Sequence, residues 1–178
     1  MDNCRFLFQN TTKISIIIPA YNEEDRILPL LQKLATLQTP AEAIELIIVD
    51  DGRSDRTSDL GQQEIEHQFP RGKLITLEKN RGKGNALRIG VAVASSPVVI
   101  TMDADMATDL SAMEPAITGL QEHHIVVGSR SIKGSQTQGT TSARRFVTIG
   151  FSFFLRLPTK HKISDTQCGF KAYRSPVA

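Results

Sequence analysis

The chain has 178 residues, 40% hydrophobic and 22% charged, with 21 Lys and Arg against 19 Asp and Glu. These proportions exclude a disordered, collagenous or disulfide-scaffold protein, and the length suffices for one domain with a substantial core. The net charge of +2 hides a split. Residues 129–178 hold nine Lys/Arg and one acid, Asp165, a balance of +8, while the twelve basic and eighteen acidic residues of 1–128 leave −6. That split predicts a polyanionic partner near the C-terminal third.

Two cysteines, Cys4 and Cys168, cannot by themselves make a disulfide framework or a zinc site, so a reducing compartment is the default. Residues 1–13 read as a polar N-terminal tail carrying Asp2, Asn3 and Arg5, without the apolar core of a signal peptide. No window reaches the roughly 18 apolar residues of a spanning helix, which predicts a soluble or peripheral protein.

In chain order, Ile14–Ile18, Ile44–Asp50, Lys73–Leu77 and Val98–Met102 read as buried strands rich in Ile and Val, and Ile125–Gly128 as a fifth. Between them lie helical patterns. Ile27, Leu30, Leu31, Leu34 and Leu37 recur at helix spacing after Asn22, with Glu23, Glu24 and Asp25 suited to a first turn. Ser54–Phe69, Gly84–Ala94 and Leu110–Gln121 are the next three. This alternation predicts an α/β fold with a mainly parallel central sheet flanked by helices. Such sheets bind ligands outside the carboxyl ends of their strands.

Every strand end carries polar or turn-forming residues: Pro19-Ala20-Tyr21-Asn22-Glu23, Asp50-Asp51-Gly52, Asn80-Arg81-Gly82-Lys83-Gly84-Asn85 and Asp103-Ala104-Asp105. Asp103 and Asp105 follow an apolar strand at a spacing that lets both share one hard cation. An oxygen-only ligand set favours Mg²⁺ or Mn²⁺, which would stabilise a departing diphosphate. Asp50-Asp51-Gly52 reads either as a turn with Gly52 at positive φ and locally bonded acids, or as an acceptor of hydrogen bonds from a nucleobase or ribose. Gly82-Lys83-Gly84 is neither a Walker A loop nor a dinucleotide fingerprint, yet it offers backbone N–H groups and a charge to an anion. A flexible solvated loop is the alternative there.

Phe146–Leu157 holds four of the eight Phe and is flanked by Arg144 and Arg145 before it and Arg156, Lys160 and Lys162 around and after its end. It reads as a core helix or as a segment lying in a membrane interface. His67, His123, His124 and His161 show no ligand spacing and read as solvated or structural; Met102, Met106 and Met113 read as packing.

Taken together with Gly128-Ser129-Arg130, these motifs resemble family 2 glycosyltransferases of the GT-A fold, in the family's order. Asp165-Thr166-Gln167-Cys168-Gly169-Phe170-Lys171 is similar to the polyprenyl-phosphate branch. Within it the Gln-Cys-Gly-Phe-Lys wording and Ala107-Thr108 lie nearer the dolichyl-phosphate glucosyltransferases than the mannosyl synthases. The resemblance covers about Lys13 to Arg174.

The resemblance implies an inverting, metal-dependent transfer of a hexose, glucose favoured, from UDP-glucose to a polyprenyl or dolichyl phosphate. It implies that Pro19, Ala20, Tyr21, Glu23, Asp51, Lys83, Asp103 and Ala104 bind the nucleotide-sugar. Asp103 and Asp105 would hold Mg²⁺ or Mn²⁺, Arg130 would contact phosphate, and Asp165 would serve as base or as orienter of a neighbouring cation. Arg144, Arg145 and Lys171 would meet the acceptor phosphate. The implied setting is cytoplasmic, peripheral at the cytoplasmic face of a membrane, with contact through 144–162 and no nucleic-acid partner. Residues 14–128 would form the nucleotide-sugar and metal half of one domain over 14–178, and 129–178 the basic acceptor half. Three positions depart from the family: Arg53 replaces its usual Ser, Ala107 supplies no ligand oxygen, and the chain stops eight residues after Phe170. An incomplete acceptor side is therefore expected, and a nucleotide-sugar-binding module and a GDP-mannose-dependent mannosyltransferase are the alternatives.

Overall fold

The structure, a computed structural model, describes residues 13–37, 41–52, 54–106, 108–129 and 168–175. The strands are β1 (Ile14–Ala20), β2 (Ile44–Asp50), β3 (Lys73–Thr76), β4 (Val98–Thr101), β5 (Ile125–Val127) and β6 (Lys171–Arg174). The helices are α1 (Glu24–Ala35), α2 (Thr57–Gln68), α3 (Lys83–Val93) and α4 (Met113–Gly119), with short 3₁₀ turns at Ala41–Ala43 and Leu110–Ala112.

The strands form one sheet in the order β3-β2-β1-β4-β6-β5. β1 pairs in parallel with β2 and β4, and β2 with β3. β6 is antiparallel to both β4 and β5. The predicted mainly parallel sheet is present, and β6 is an addition: the sequence reading assigned no strand to Lys171–Arg174.

All seven residues of β1 and of β2 are buried. Helices cover both faces, so these strands read as continuous apolar runs without alternation. Ile14, Ile16 and Ile18 point to one face, where Ile27, Leu30, Leu31 and Leu34 of α1, Ile65 of α2 and Met113 and Ala116 of α4 join them. Ile17, Ile47 and Val49 point to the other, against Ala86 of α3. Three helices therefore lie on one side and α3 on the other. Chain order runs β1 to β2 to β3 in one direction, then returns through α3 to β4 on the far side of β1. That reversal beside β1 is where an open α/β sheet leaves a crevice.

The far, amino end of the sheet contains a buried acid. Glu45 is 2% exposed. It accepts hydrogen bonds from the Ser15 hydroxyl, from Lys73 Nζ at 2.7 Å and from Ser95 N and Oγ at 2.7 and 2.9 Å. Burial by itself pushes its carboxyl upward, but those bonds outweigh it and hold the value down to about 2.

Candidate active site

At the carboxyl ends of β1 and β2 a cleft of about 220 Å³ opens. That is below the roughly 300–1,000 Å³ of pockets that enclose a drug-sized ligand, so it suits one part of a longer ligand. Pro19, Ala20, Tyr21, Glu23, Asp51 and Lys83 line it, joined by Asn80, Gly82 and Ala86. Tyr21 is 45% exposed at the mouth, an apolar ring with a polar tip in solvent.

Two loops hold the floor of this cleft by bonding each other. Glu23 N donates to Thr57 Oγ1 at 2.8 Å and Glu24 N to Asp55 Oδ2 at 3.1 Å, while Arg56 N donates to Glu24 Oε2 at 3.2 Å. The Ser54 hydroxyl donates to Asn22 Oδ1, and Asn22 sits at φ 55. Each helix start is thus satisfied by the loop of the other, which fixes Glu23 at the cleft wall. Bonds from Thr57 and from Glu24 N lower the Asp55 carboxyl against the upward push of burial.

The acid pair after β2 divides its work. Asp50 is buried and its Oδ2 accepts from Ser58 Oγ at 2.5 Å, a hydroxyl also 3.0 Å from Thr76 Oγ1. Asp51 accepts from Arg81 N at 2.9 Å and Gly82 N at 2.6 Å. Gly52 takes φ +131 as the turn reading expects, but Asp51 bonds across the sequence to pin the β3–α3 loop and also lines the cleft. Gly82 (φ 89) caps α3, so Lys83, not Gly84, is its first residue.

Lys83 reaches from that helix start to Asp103, with Nζ 2.6 Å from Oδ1. Asp103 is also crowded from behind, since a Cβ built on Gly169 would run into its carboxylate. Antiparallel pairing of Thr101 with Lys171 and the bond from Thr101 Oγ1 to Gly169 O at 3.2 Å bring that glycine there. Glu23 completes the acidic group. Its carboxyl is pushed up by burial, and further by Asp105 and Asp103, against the opposing pull of Arg26, whose Nε lies 2.6 Å away. Three carboxylates therefore share a region in which one of them is held above its ordinary value by burial and by the charge of the others, the field a divalent cation would relieve. Among the described residues, no group of three or more His, Cys, Asp or Glu is arranged as a ready metal cage. A pair of carboxylates is what Mg²⁺ typically takes from a protein, with waters and substrate phosphates supplying the rest, so the donor set fits.

Ala104 is buried (2% exposed), which leaves any ligand contact there to its backbone. Lys171 Nζ donates to Cys168 O at 2.9 Å. Met102 and Met113 are buried as expected, whereas Met106 is 38% exposed at φ 53, a turn residue and not core packing. Arg53, Ala107, Arg130, Arg144, Arg145, Asp165 and the segment 144–162 lie outside the described residues. Asn80 and Gly169 appeared in the sequence only within motifs; Thr57, Ser58 and Ser54 carried no signal beyond a polar helix start.

An open α/β sheet with polar strand ends converging on one crevice defines a class of fold that binds its ligands at the carboxyl ends of the strands. Residues 15–178 match the model of "Glycosyl transferase family 2", and the chain belongs to that family. It is 32% identical over 183 residues to a dolichyl-phosphate beta-glucosyltransferase of Homo sapiens, covering 94% of this chain and 56% of that one. The chain spans about half the length of the curated relatives it matches. Among solved structures, glucosyl-3-phosphoglycerate synthase from Mycobacterium tuberculosis superposes with a TM-score of 0.66 at 20% identity, covering 92% of this chain and 57% of that one. The mannosyltransferase PcManGT from Pyrobaculum calidifontis, in complex with GDP-Man and Mn2+, superposes with a TM-score of 0.59 at 24% identity, covering 66% of this chain and 35% of that one. These likenesses establish the GT-A architecture. Among the described residues no helix is long and apolar enough to cross a membrane.

Proposed function

We propose that the chain binds a nucleotide-sugar, UDP-glucose in preference, and transfers the hexose with inversion to a polyprenyl or dolichyl phosphate. The observation that carries this is the Asp103-Ala104-Asp105 turn just past β4, with Asp103 paired to the cleft residue Lys83 at 2.6 Å, in a family 2 chain whose curated relatives include dolichyl-phosphate beta-glucosyltransferases. The nucleoside part lies between Pro19, Tyr21 and the Asp51-held loop. Asp103 and Asp105 hold Mg²⁺ or Mn²⁺, as the Mn²⁺-bound fold relative suggests; the cation supplies charge neutralisation for the departing diphosphate. Lys83 and Arg130 add positive charge on the phosphate side.

An oxygen of the acceptor phosphate forms the bond to the anomeric carbon as the bond from that carbon to the diphosphate breaks, and UDP leaves. The acceptor's second pKa is about 6 by analogy with phosphorylated side chains, so it arrives as a dianion that needs no strong base. Asp165 then orients it or a neighbouring cation, and Arg144, Arg145 and Lys171 bind it. The lipid acceptor places the protein peripherally at the cytoplasmic face of a membrane, in contact through 144–162.

The test is incubation of the chain with Mn²⁺ or Mg²⁺, labelled UDP-glucose and polyprenyl phosphate. Lipid-linked glucose is expected, reduced by about 10²-fold or more in Asp105→Ala. Mn²⁺-dependent UDP binding without product favours a binding module. Product from GDP-mannose alone identifies a mannosyltransferase.

A further inference from the structure

We infer that Lys83 is a built-in counter-ion for Asp103 that gives way to the divalent cation, so that Lys83 couples metal binding to nucleotide binding. The inference rests on the proposed donor site and adds to it a reason for ordered loading.

The pair is short, 2.6 Å between Lys83 Nζ and Asp103 Oδ1. Its two ends are unequal. The Asp103 side chain is 32% exposed and sterically backed by Gly169, whereas that of Lys83 is 52% exposed on a flexible stem. The carboxylate is thus the fixed partner and the ammonium the movable one. Lys83 also stands in the first turn of α3, where the helix dipole disfavours a cation. The attraction of Asp103 is what holds it over the cleft. Arg26, a further cation beside the site, is bonded to Glu23 at 2.6 Å.

A metal ion approaching Asp103 therefore meets an ammonium already in place and must work against it. A diphosphate entering the cleft offers that ammonium a stronger partner. When Lys83 turns to the phosphate, Asp103 is released to the metal. Each ligand removes an obstacle to the other, which is positive coupling and reciprocal by necessity. Asp51 contributes by fixing the backbone from which Lys83 pivots, through its bonds to Arg81 N and Gly82 N.

The experiment is a titration of Mn²⁺, followed by calorimetry or by the electron paramagnetic resonance of free Mn²⁺, with and without UDP. It compares the wild-type chain with Lys83→Met and Lys83→Arg. In Lys83→Met the Mn²⁺ Kd without UDP is expected to tighten by about 1.5- to fivefold, the range for losing a half-exposed ion pair. The factor by which UDP tightens Mn²⁺ falls correspondingly, and Lys83→Arg restores most of it. A merely structural lysine would give no gain in metal affinity on removal. An unchanged or weaker Mn²⁺ Kd in Lys83→Met, beside intact Mn²⁺-dependent UDP binding in the wild type, overturns the inference alone. Absence of Mn²⁺-dependent UDP binding in the wild type overturns the proposed donor site and the inference with it.

Discussion

The two ends of the sheet treat a carboxylate drawn out of solvent in opposite ways, Glu45 fully buried and Glu23 half-buried. At the amino end, Glu45 is enclosed by a lysine, two serines and a backbone N–H, and its carboxyl falls to about 2. At the carboxyl end, Glu23 is paired with Arg26 yet raised by burial and by Asp105 and Asp103. The first arrangement closes its charge account within the protein. The second leaves negative charge in excess beside a cleft, a state that stabilises little until a cation arrives. Buried charge serves folding where its partners are internal and function where they are external.

The largest expected effect comes from breaking the self-sufficient end. Glu45→Ala strips Ser15 and Lys73 of their acceptor and should cost about 3 kcal/mol, lowering Tm by about 6–12 °C in thermal denaturation. UDP binding by the folded fraction should be unchanged. The wild-type chain sharpens this through pH. Glu45 has a folded value below its ordinary 4.5, so its contribution is complete above that value and is lost as pH falls from about 4.5 toward 2. Glu45→Gln should flatten that part of the stability curve.

Next is the fixed wall of the site. In Gly169→Ala the new methyl must displace the Asp103 carboxylate. Mn²⁺ affinity in the presence of UDP should weaken about tenfold, about 1.4 kcal/mol, read by calorimetry with little change in metal-free UDP binding. The smallest effect belongs to Glu23→Gln. The raised value of Glu23 means that its ionisation opposes folding as pH rises through it. The variant should therefore match the wild type below pH 4.5 and equal or exceed it by about 0.5 kcal/mol at pH 7, in paired denaturation curves. A clear loss of stability at pH 7 would break the contrast between the two ends.

Much of the frame was legible because parallel strands covered on both faces are nearly unbroken apolar runs. Ile14–Ile18 and Ile44–Asp50 announce themselves in this way. α1 was equally plain despite Pro29, since Ile27, Leu30, Leu31 and Leu34 bury a full stripe that outweighs one missing N–H. β6 escaped because Lys-Ala-Tyr-Arg is short and half polar, and its pairing is with β4 and β5, both distant in sequence. The residues that line the cleft stand in motifs at strand ends and could be picked out there, while their hydrogen-bond partners could not. No pattern in the sequence tells that Asp51 holds two backbone N–H groups, or that Lys83 crosses to Asp103. Such contacts depend on loop conformation, which propensity does not encode. Glu45 passed as one acid in a strand because its partners come from β1, β3 and the end of α3.

The strand that places Gly169 behind Asp103 also sets an order of assembly. β1, β2, β3 and β4 are joined through crossovers of modest length and can pair as they emerge. Among the described residues β5 meets the sheet only through β6, which follows it by more than forty residues. Closing that loop carries an entropy cost before any ladder bond rewards it. The cleft wall built from the ends of β1 and β2 can thus form early in synthesis, and the support for Asp103 must come late. On the proposed reading, a growing chain would acquire its grip on the base before its grip on the phosphates.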